Sequence, residues 1–286
     1  MDRIKRNERL GAMTRLITED PNRIHTLSEF CELFGSAKST ISEDIDLIAE
    51  SLEHFDLGRL ETVAGAAGGV RYRPMMSAEK ARRTLEDVAA KLSETGRLLP
   101  GGFLYTSDVS SDPRVTEALG EILASKFYDR QPDLVLTMET KGIPLALMTA
   151  RALNVPLVIA RRDSKAYEGS AVKINYISGG DSGRIETMAL SRRAVKPGQR
   201  ALIVDDFMKG GGTLQGMVEM MAEFQAEVVG IGVMIATMTP ETKRCAGAKA
   251  LLMFRSADRE SGACEVVPSA DFSKCCLLYT SDAADE

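Results

Sequence analysis

The sequence predicts an α/β protein of two domains, an N-terminal winged helix-turn-helix followed by a domain built on a parallel sheet. Three observations carry that expectation. The opening stretch, up to Pro74, reads as three short helices and a hairpin. From Phe103 onward, apolar strand-like runs alternate with helical ones, the pattern of a parallel sheet covered on both faces. One of those runs ends in Asp205-Asp206 and a string of glycines before a helix, which places a candidate ligand loop at a strand's carboxyl end.

Composition sets the outer bounds. A chain of 286 residues has room for about two ordinary domains, and 44% hydrophobic with 27% charged residues is a globular balance. No apolar run approaches the ~20 residues of a membrane span. The charged N-terminus lacks the apolar core of a signal peptide, so a cytoplasmic protein without a membrane partner is expected. Cysteines 31, 245, 264, 275 and 276 form no CxxC pair, and His25 and His54 give a zinc site too few partners. The net charge of −5 argues against indiscriminate nucleic-acid binding. It leaves room for a local basic patch, and Arg3, Lys5, Arg6, Arg9 and Arg15 offer one, though charge alone fits an ordinary solvated helix face better.

In the first domain, Leu10, Met13, Leu16 and Ile17 recur at helical spacing until Glu19-Asp20-Pro21-Asn22 ends the run. Thr26 or Ser28 can cap a second helix carrying Leu27, Phe30, Cys31 and Leu33, and Gly35 breaks it. A third helix lines up Ile41, Ile45, Ile48 and Leu52. Two short helices across a glycine turn make a helix-turn-helix. Gly58–Val63 and Val70–Arg73, joined by the small residues 64–69, add a wing flanked by Arg71 and Arg73. The third helix opens with Lys38, Ser39 and Ser42, all hydrogen-bond donors for phosphates or base edges. Farther along it carries Glu43, Asp44, Asp46, Glu50 and Glu53, which phosphates repel, so only its first turn suits a major groove. A winged helix that binds another protein is the alternative for this segment.

An amphipathic helix from Ser77 to about Ser93 turns Ala81, Leu85, Val88, Ala89 and Leu92 inward, which puts the domain boundary near residue 75. Strands are expected at Phe103–Thr106, Asp133–Thr137, Pro156–Ala160, Ala201–Val204 and Val228–Ile235. Helices are expected at Val115–Phe127, Pro144–Leu153 and Thr213–Phe224. Asp205-Asp206-Phe207-Met208-Lys209-Gly210-Gly211-Gly212-Thr213 lacks the Gly-Lys-Ser/Thr ending of a P-loop, and two acids precede its glycines, unlike a Rossmann fingerprint. Glycines opening a helix expose several N–H groups to one phosphate, and Thr213 adds a hydroxyl. Asp205 and Asp206 can accept hydrogen bonds from a vicinal diol such as that of ribose; paired acids can also be magnesium ligands of a phosphatase or response regulator. At another strand end, Thr140, Lys141 and Gly142 offer a second anion loop. Two anion loops with a diol site between them match the outline of phosphoribosyl pyrophosphate (PRPP). Between the loops, Val172–Ile177 and Arg184–Leu190 read as a hairpin that can form a protruding, mobile flap over the site or a structural element.

At this point the residues resemble a known family. Asp205–Thr213 looks like the PRPP-binding motif of type I phosphoribosyltransferases. Ser36–Asp44, Gly65–Val70, Leu99–Gly102 and Thr140–Pro144 together resemble the purine operon repressor of Gram-positive bacteria, over roughly residues 3 to 274. The resemblance implies a homodimer that binds double-stranded DNA in the control regions of purine synthesis genes and is released by PRPP. It implies a winged-helix DNA-binding domain over residues 1–74 and a phosphoribosyltransferase-like, PRPP-sensing domain over 75–275. On this reading the PRPP contacts are Asp205, Asp206, Lys209, Gly210, Gly211, Gly212, Thr213, Thr140, Lys141 and Gly142. The DNA contacts are Arg3, Arg6, Lys38, Ser39, Ser42, Arg71 and Arg73. No cofactor is required, no residue is assigned to catalysis or a metal, and an accompanying Mg2+ is left open. Lys209-Gly210 departs from the small or hydroxylated residues that enzymes with this motif carry, which favours a sensor. The alternative is an active purine phosphoribosyltransferase with an appended winged helix. Residues 276–286 resemble the conceptual translation of a transposase-based sequencing adapter and are set aside as an artefact.

Overall fold

The computed structural model describes residues 4–65, 68–163, 169–178, 183–258 and 261–273. Arg3, the adapter-like tail and parts of the two hairpin tips therefore lie outside the described residues. The chain separates into two compact units, the first comprising the residues up to Ser77 together with Arg151–Asn154, the second the rest. No helix among the described residues is long and apolar enough to cross a membrane.

The first unit holds α1 (Arg6–Glu19), β1 (Ile24–His25), α2 (Leu27–Phe34), α3 (Lys38–His54), β2 (Arg59–Val63) and β3 (Gly69–Arg73). Its local signals work as the sequence suggests. The Thr26 hydroxyl caps α2 by accepting from the Glu29 N–H at 3.2 Å. Gly35 ends that helix at φ 60°, a left-handed conformation that glycine adopts without a Cβ penalty. The apolar faces of α1, α2 and α3 then close one core, with Met13, Ile17, Phe30, Ile41, Ile45, Ile48 and Leu52 buried against Val70 and Tyr72 of the wing. The sheet has a third strand that the sequence did not signal: β1, only two residues long, pairs antiparallel with β3.

The second unit begins with α4 (Ala78–Leu92), whose five inward residues are all buried. A small ribbon, β4 (Leu98–Leu99) and β5 (Phe103–Leu104), precedes α5 (Ser107–Ser110) and α6 (Pro113–Ser125). Then follow β6 (Leu134–Met138), α7 (Ile143–Leu153), β7 (Leu157–Ala160), β8 (Ala171–Ser178), β9 (Arg184–Ser191), β10 (Arg200–Met208), α8 (Gly212–Glu223) and β11 (Glu227–Thr237). The unit closes with β12 (Lys249–Ala257), β13 (Cys264–Pro268) and α9 (Ala270–Ser273).

The main sheet has six strands in the order β13-β12-β11-β10-β6-β7. The expected parallel sheet is present, with one antiparallel strand added at its edge. Five strands are parallel, but β13 runs antiparallel to β12, because a short connection can only return the chain alongside the strand it has left. The expected strand at 103–106 is not in this sheet. Gly101 and Gly102, both at positive φ, fold Phe103–Leu104 back onto Leu98–Leu99 instead. The hairpin, open to both a flap and a structural reading, is paired from Ala171↔Ser191 to Ser178↔Arg184. One face of it is structural: Val172, Tyr176, Met188 and Leu190 are buried in one core with Leu214, Met217 and Met221 of α8. An inward face packed on a helix holds it to the sheet domain.

Candidate functional site

Parallel strands deliver their ligand loops at their carboxyl ends. In the second unit β6 and β10 are neighbours, so the loops after them open side by side. An open cleft of about 370 Å³ lies there, lined by Met138–Lys141, Arg162, Tyr176, Glu186, Asp205–Phe207 and Thr213. A further hollow of about 120 Å³ follows the glycine turn from Lys209 to Leu214.

Asp205 and Asp206 fall within β10, just beyond the residues of that strand that pair with β6. Asp205 is buried, and its Oδ1 accepts from the Asp206 N–H at 3.0 Å. Burial, reinforced by the neighbouring Asp206 charge, pushes the Asp205 carboxyl well above the usual carboxylate range. Burial also raises Asp206, against the pull of Lys141. Gly142 is obligatory at this spot: a Cβ there would stand 2.6 Å from Thr137 Oγ1 and 2.8 Å from Asp205 Oδ1. The anion loop after β6 is thus laid directly against the buried acid, while Thr140 and Lys141 stay exposed at the rim.

The glycine turn runs from the end of β10 into α8. Gly211 is the N-cap at φ 78° and carries no side chain to cap the helix, so the first N–H groups of α8 are left for another acceptor. A Cβ on Gly212 would collide with the carbonyl oxygen of Ile177 in β8. The turn can therefore lie this close to the hairpin only as glycine. Thr213 stands at the first turn of α8 and lines the cleft. All ten proposed PRPP contacts accordingly fall at or next to the carboxyl ends of two adjacent strands, β6 and β10.

Several cleft residues were not found from the sequence. The Tyr176 hydroxyl donates to Glu186 Oε2 at 2.8 Å across the hairpin. Burial, with Glu186 beside it, pushes the phenol up to about 12, while that hydrogen bond keeps Glu186 below its ordinary value. The signal was present in the register, since Tyr176 and Glu186 are direct cross-strand partners. Glu139 Oε1 accepts from the Arg162 N–H at 2.8 Å, tying the loop after β6 to the chain leaving β7. No cluster of three His, Cys, Asp or Glu is placed to hold a metal ion among the described residues.

In the first unit, Lys38, Ser39 and Ser42 are all exposed on the opening turns of α3. Ala37, the N-cap, has no side-chain cap, so the first N–H groups of the helix also remain open to an acceptor. Glu43 and Asp46 are exposed, but Asp44 corrects the reading of a uniformly acidic stretch. It is fully buried and ion-paired with Arg9 and, at 2.9 Å, with Arg6. Burial by itself would raise Asp44, yet the hydrogen bonds and charges of the two arginines hold it below its ordinary value. The supposed basic patch is correspondingly smaller. Arg9 is spent inside, Arg15 pairs with Glu19 at 3.1 Å, and Arg6 keeps 54% of its side chain exposed while bound to Asp44. On the wing, Arg71 and Arg73 converge on Glu61 at 3.0 and 3.1 Å. Among the described residues, Arg6, Arg71 and Arg73 of the expected DNA contacts are ion-paired with carboxylates, and the three on α3 are not.

Comparisons with known proteins fit both units. Residues 5–74 match the model of the bacterial purine repressor N-terminal domain, and residues 108–258 match the phosphoribosyl transferase domain. The chain is 42% identical to the probable purine biosynthesis transcriptional regulator PurR of Streptococcus pneumoniae, over 92% of this chain and 96% of that protein. It is 45% identical to the purine biosynthesis transcriptional repressor PurR of Bacillus subtilis, over 82% of this chain and 81% of the relative. A Lactococcus lactis relative at 42% identity, over 81% of this chain and 85% of its own length, is a purine biosynthesis transcriptional activator PurR. Among solved structures, adenine phosphoribosyltransferase from Giardia lamblia superposes with a TM-score of 0.52 at 21% identity, over 64% of this chain and all of that one. That likeness speaks for the fold alone.

Proposed function

The chain belongs to the PurR family of bacterial purine biosynthesis regulators, and from that premise we propose that it is a cytoplasmic, DNA-binding repressor of purine synthesis genes that PRPP releases. In this reading residues 1–74 read DNA and residues 75–275 sense the ligand. The observation that carries it is the pairing, in one chain, of an exposed donor turn on α3 with a cleft at the ends of β6 and β10 that holds an acid pair and a glycine turn.

The chemistry divides among the loops. Asp205 and Asp206 accept hydrogen bonds from the ribose hydroxyls, contacts worth about 1.5–3 kcal/mol each when the acceptor is charged. The N–H groups of Gly210, Gly211 and Gly212 and the Thr213 hydroxyl hold the 5′-phosphate, favoured by the helix N-terminus. Thr140, Lys141 and Gly142 take the pyrophosphate, and Lys209 adds a cation beside the cradle. Lys38, Ser39 and Ser42 enter the major groove, with Arg3, Arg6, Arg71 and Arg73 on the flanking phosphates. A homodimer would present two such readers to paired half-sites.

The phosphoribosyltransferase fold is shared with enzymes, including a xanthine phosphoribosyltransferase of Exiguobacterium at 35% identity over 157 residues. We take the fold as a sensor here. Tight ground-state binding of PRPP does not accelerate transfer, turnover would consume the signal, and Lys209-Gly210 departs from the enzyme pattern. The test is to titrate PRPP into the protein bound to a purine-gene control region, and separately to incubate protein and PRPP with adenine, guanine, hypoxanthine and xanthine. Release of DNA without nucleotide formation is expected, and D205A/D206A should bind DNA but ignore PRPP. DNA occupancy indifferent to PRPP, or turnover on the order of 1 per second, would sink the reading.

A further inference from the structure

The glycine turn can aim its N–H groups at an anion only if its carbonyl groups are held elsewhere. The segment that holds them is one the sequence did not single out, Thr237–Cys245, which starts at the last residue of β11. The Lys243 ammonium donates to the carbonyl oxygen of Lys209 at 2.6 Å and to Thr237 Oγ1 at 3.0 Å. The Thr237 hydroxyl donates to the Thr239 carbonyl at 2.6 Å and approaches the Lys209 carbonyl at 3.4 Å. The Arg244 N–H donates to the Gly210 carbonyl at 2.9 Å. A Cβ on Gly211 would stand 3.0 Å from the Cys245 nitrogen, so this segment is seated directly behind the turn.

These contacts have an electrostatic consequence. The Lys209 carbonyl and the Gly210 N–H belong to one peptide group, and the Gly210 carbonyl and the Gly211 N–H belong to the next. A donor on each carbonyl polarises the N–H at the other end of that peptide, as hydrogen bonds in a chain strengthen one another. The donor on the first peptide is a full cation. Both oxygens it meets are neutral, and no ion pair to Lys243 is found among the described residues. Burial lowers the Lys243 pKa, and no neighbouring acid offsets it. A half-buried ammonium without a carboxylate partner is costly unless something anionic uses its field.

We propose that Lys243 is a positioning residue of the anion cradle, fixing and polarising the Lys209–Gly210 peptide from the side away from the ligand. This rests on the reading of that turn as a phosphate site. The test measures binding of PRPP and of inorganic pyrophosphate to the full chain and to K243M, K243R and T237V. K243M should weaken PRPP binding by about tenfold or more, the range expected when a charged hydrogen bond is lost. It should also flatten the dependence of PRPP affinity on salt, which loss of a neutral packing contact would leave alone. K243R should recover part of the affinity, and T237V, which removes only a secondary support, should lose less than K243M. DNA binding without ligand and the urea midpoint should stay at the wild-type values in K243M. PRPP affinity within twofold of wild type in K243M, or a parallel loss of unliganded DNA binding, would overturn the proposal. If wild type binds pyrophosphate through Lys243 but not PRPP, the sensor reading fails and this one stands; if wild type binds neither anion, both fail.

Discussion

Each unit buries a carboxylate, and the two are treated in opposite ways. Asp44 in the winged helix is met by two arginines from α1, which hold it ionised and tie α3 to the first helix. Asp205 in the sheet unit is buried beside a second acid, and its Oδ1 accepts from the next residue's N–H rather than from a cation. A buried acid whose charge is answered within the fold serves the fold. One whose charge is left unanswered at the mouth of a cleft costs stability, and that cost is recovered when a ligand supplies the missing donors.

The comparison can be broken most severely at Asp44. D44A leaves Arg9 buried without its partner and should destabilise the first unit by about 3–5 kcal/mol. Urea unfolding of the full chain would measure it, and a loss under about 1 kcal/mol would mean the pair is not structural. Because the native pKa is depressed, this stability is present above the unfolded carboxyl value of about 3.9 and is lost as pH falls through the native one.

Asp205 should behave with the opposite sign. Its native pKa is raised, so its contribution is intact below the unfolded value and is lost as pH rises through the native one. D205N removes the buried charge and should raise the stability of the unliganded protein at neutral pH by about 1–3 kcal/mol, while PRPP affinity falls by a similar amount. The stability gain should shrink toward acid pH, where wild-type Asp205 is itself protonated. A D205N protein less stable than wild type at pH 7 would show that the acid is a structural partner after all.

The smallest effects distinguish the unpartnered cation of α3 from the engaged ones of the wing. K38A should lower the salt slope of log DNA affinity by about one unit, the signature of a lost phosphate contact. R71A should lower it by less, since Glu61 already answers part of that charge. Equal slopes for both variants would mean that Glu61 releases Arg71 on DNA, and no change in either would point to a winged helix used for protein contacts.

Much of this was legible before any coordinates. Periodicity located the helices whose apolar stripes are long, and α4 buries all five of the residues assigned to its inner face. Short-range rules located the caps, because Thr26 and Gly35 act on neighbours within four residues along the chain. Phe103–Thr106 misled for the opposite reason: its pattern is that of a strand, and only two left-handed glycines before it decide which partner it meets. The strands β12 and β13 were missed, and with them the antiparallel edge, since a brief apolar run does not announce its direction or its neighbour.

By itself the sequence determined two things about this protein: the order of most of its elements, and the two strand-end loops that border the cleft. Both are written in local spacing, in glycines before a helix and acids at a strand end. Only the tertiary structure decided which charges are available. Asp44 and Arg9 read as surface charges and prove to be one buried pair, Arg71 and Arg73 are drawn onto Glu61, and Lys243 reaches a turn more than thirty positions earlier in the chain. A charge's effect depends on what stands within a few ångströms of it, and that distance is set by the fold rather than by position in the chain.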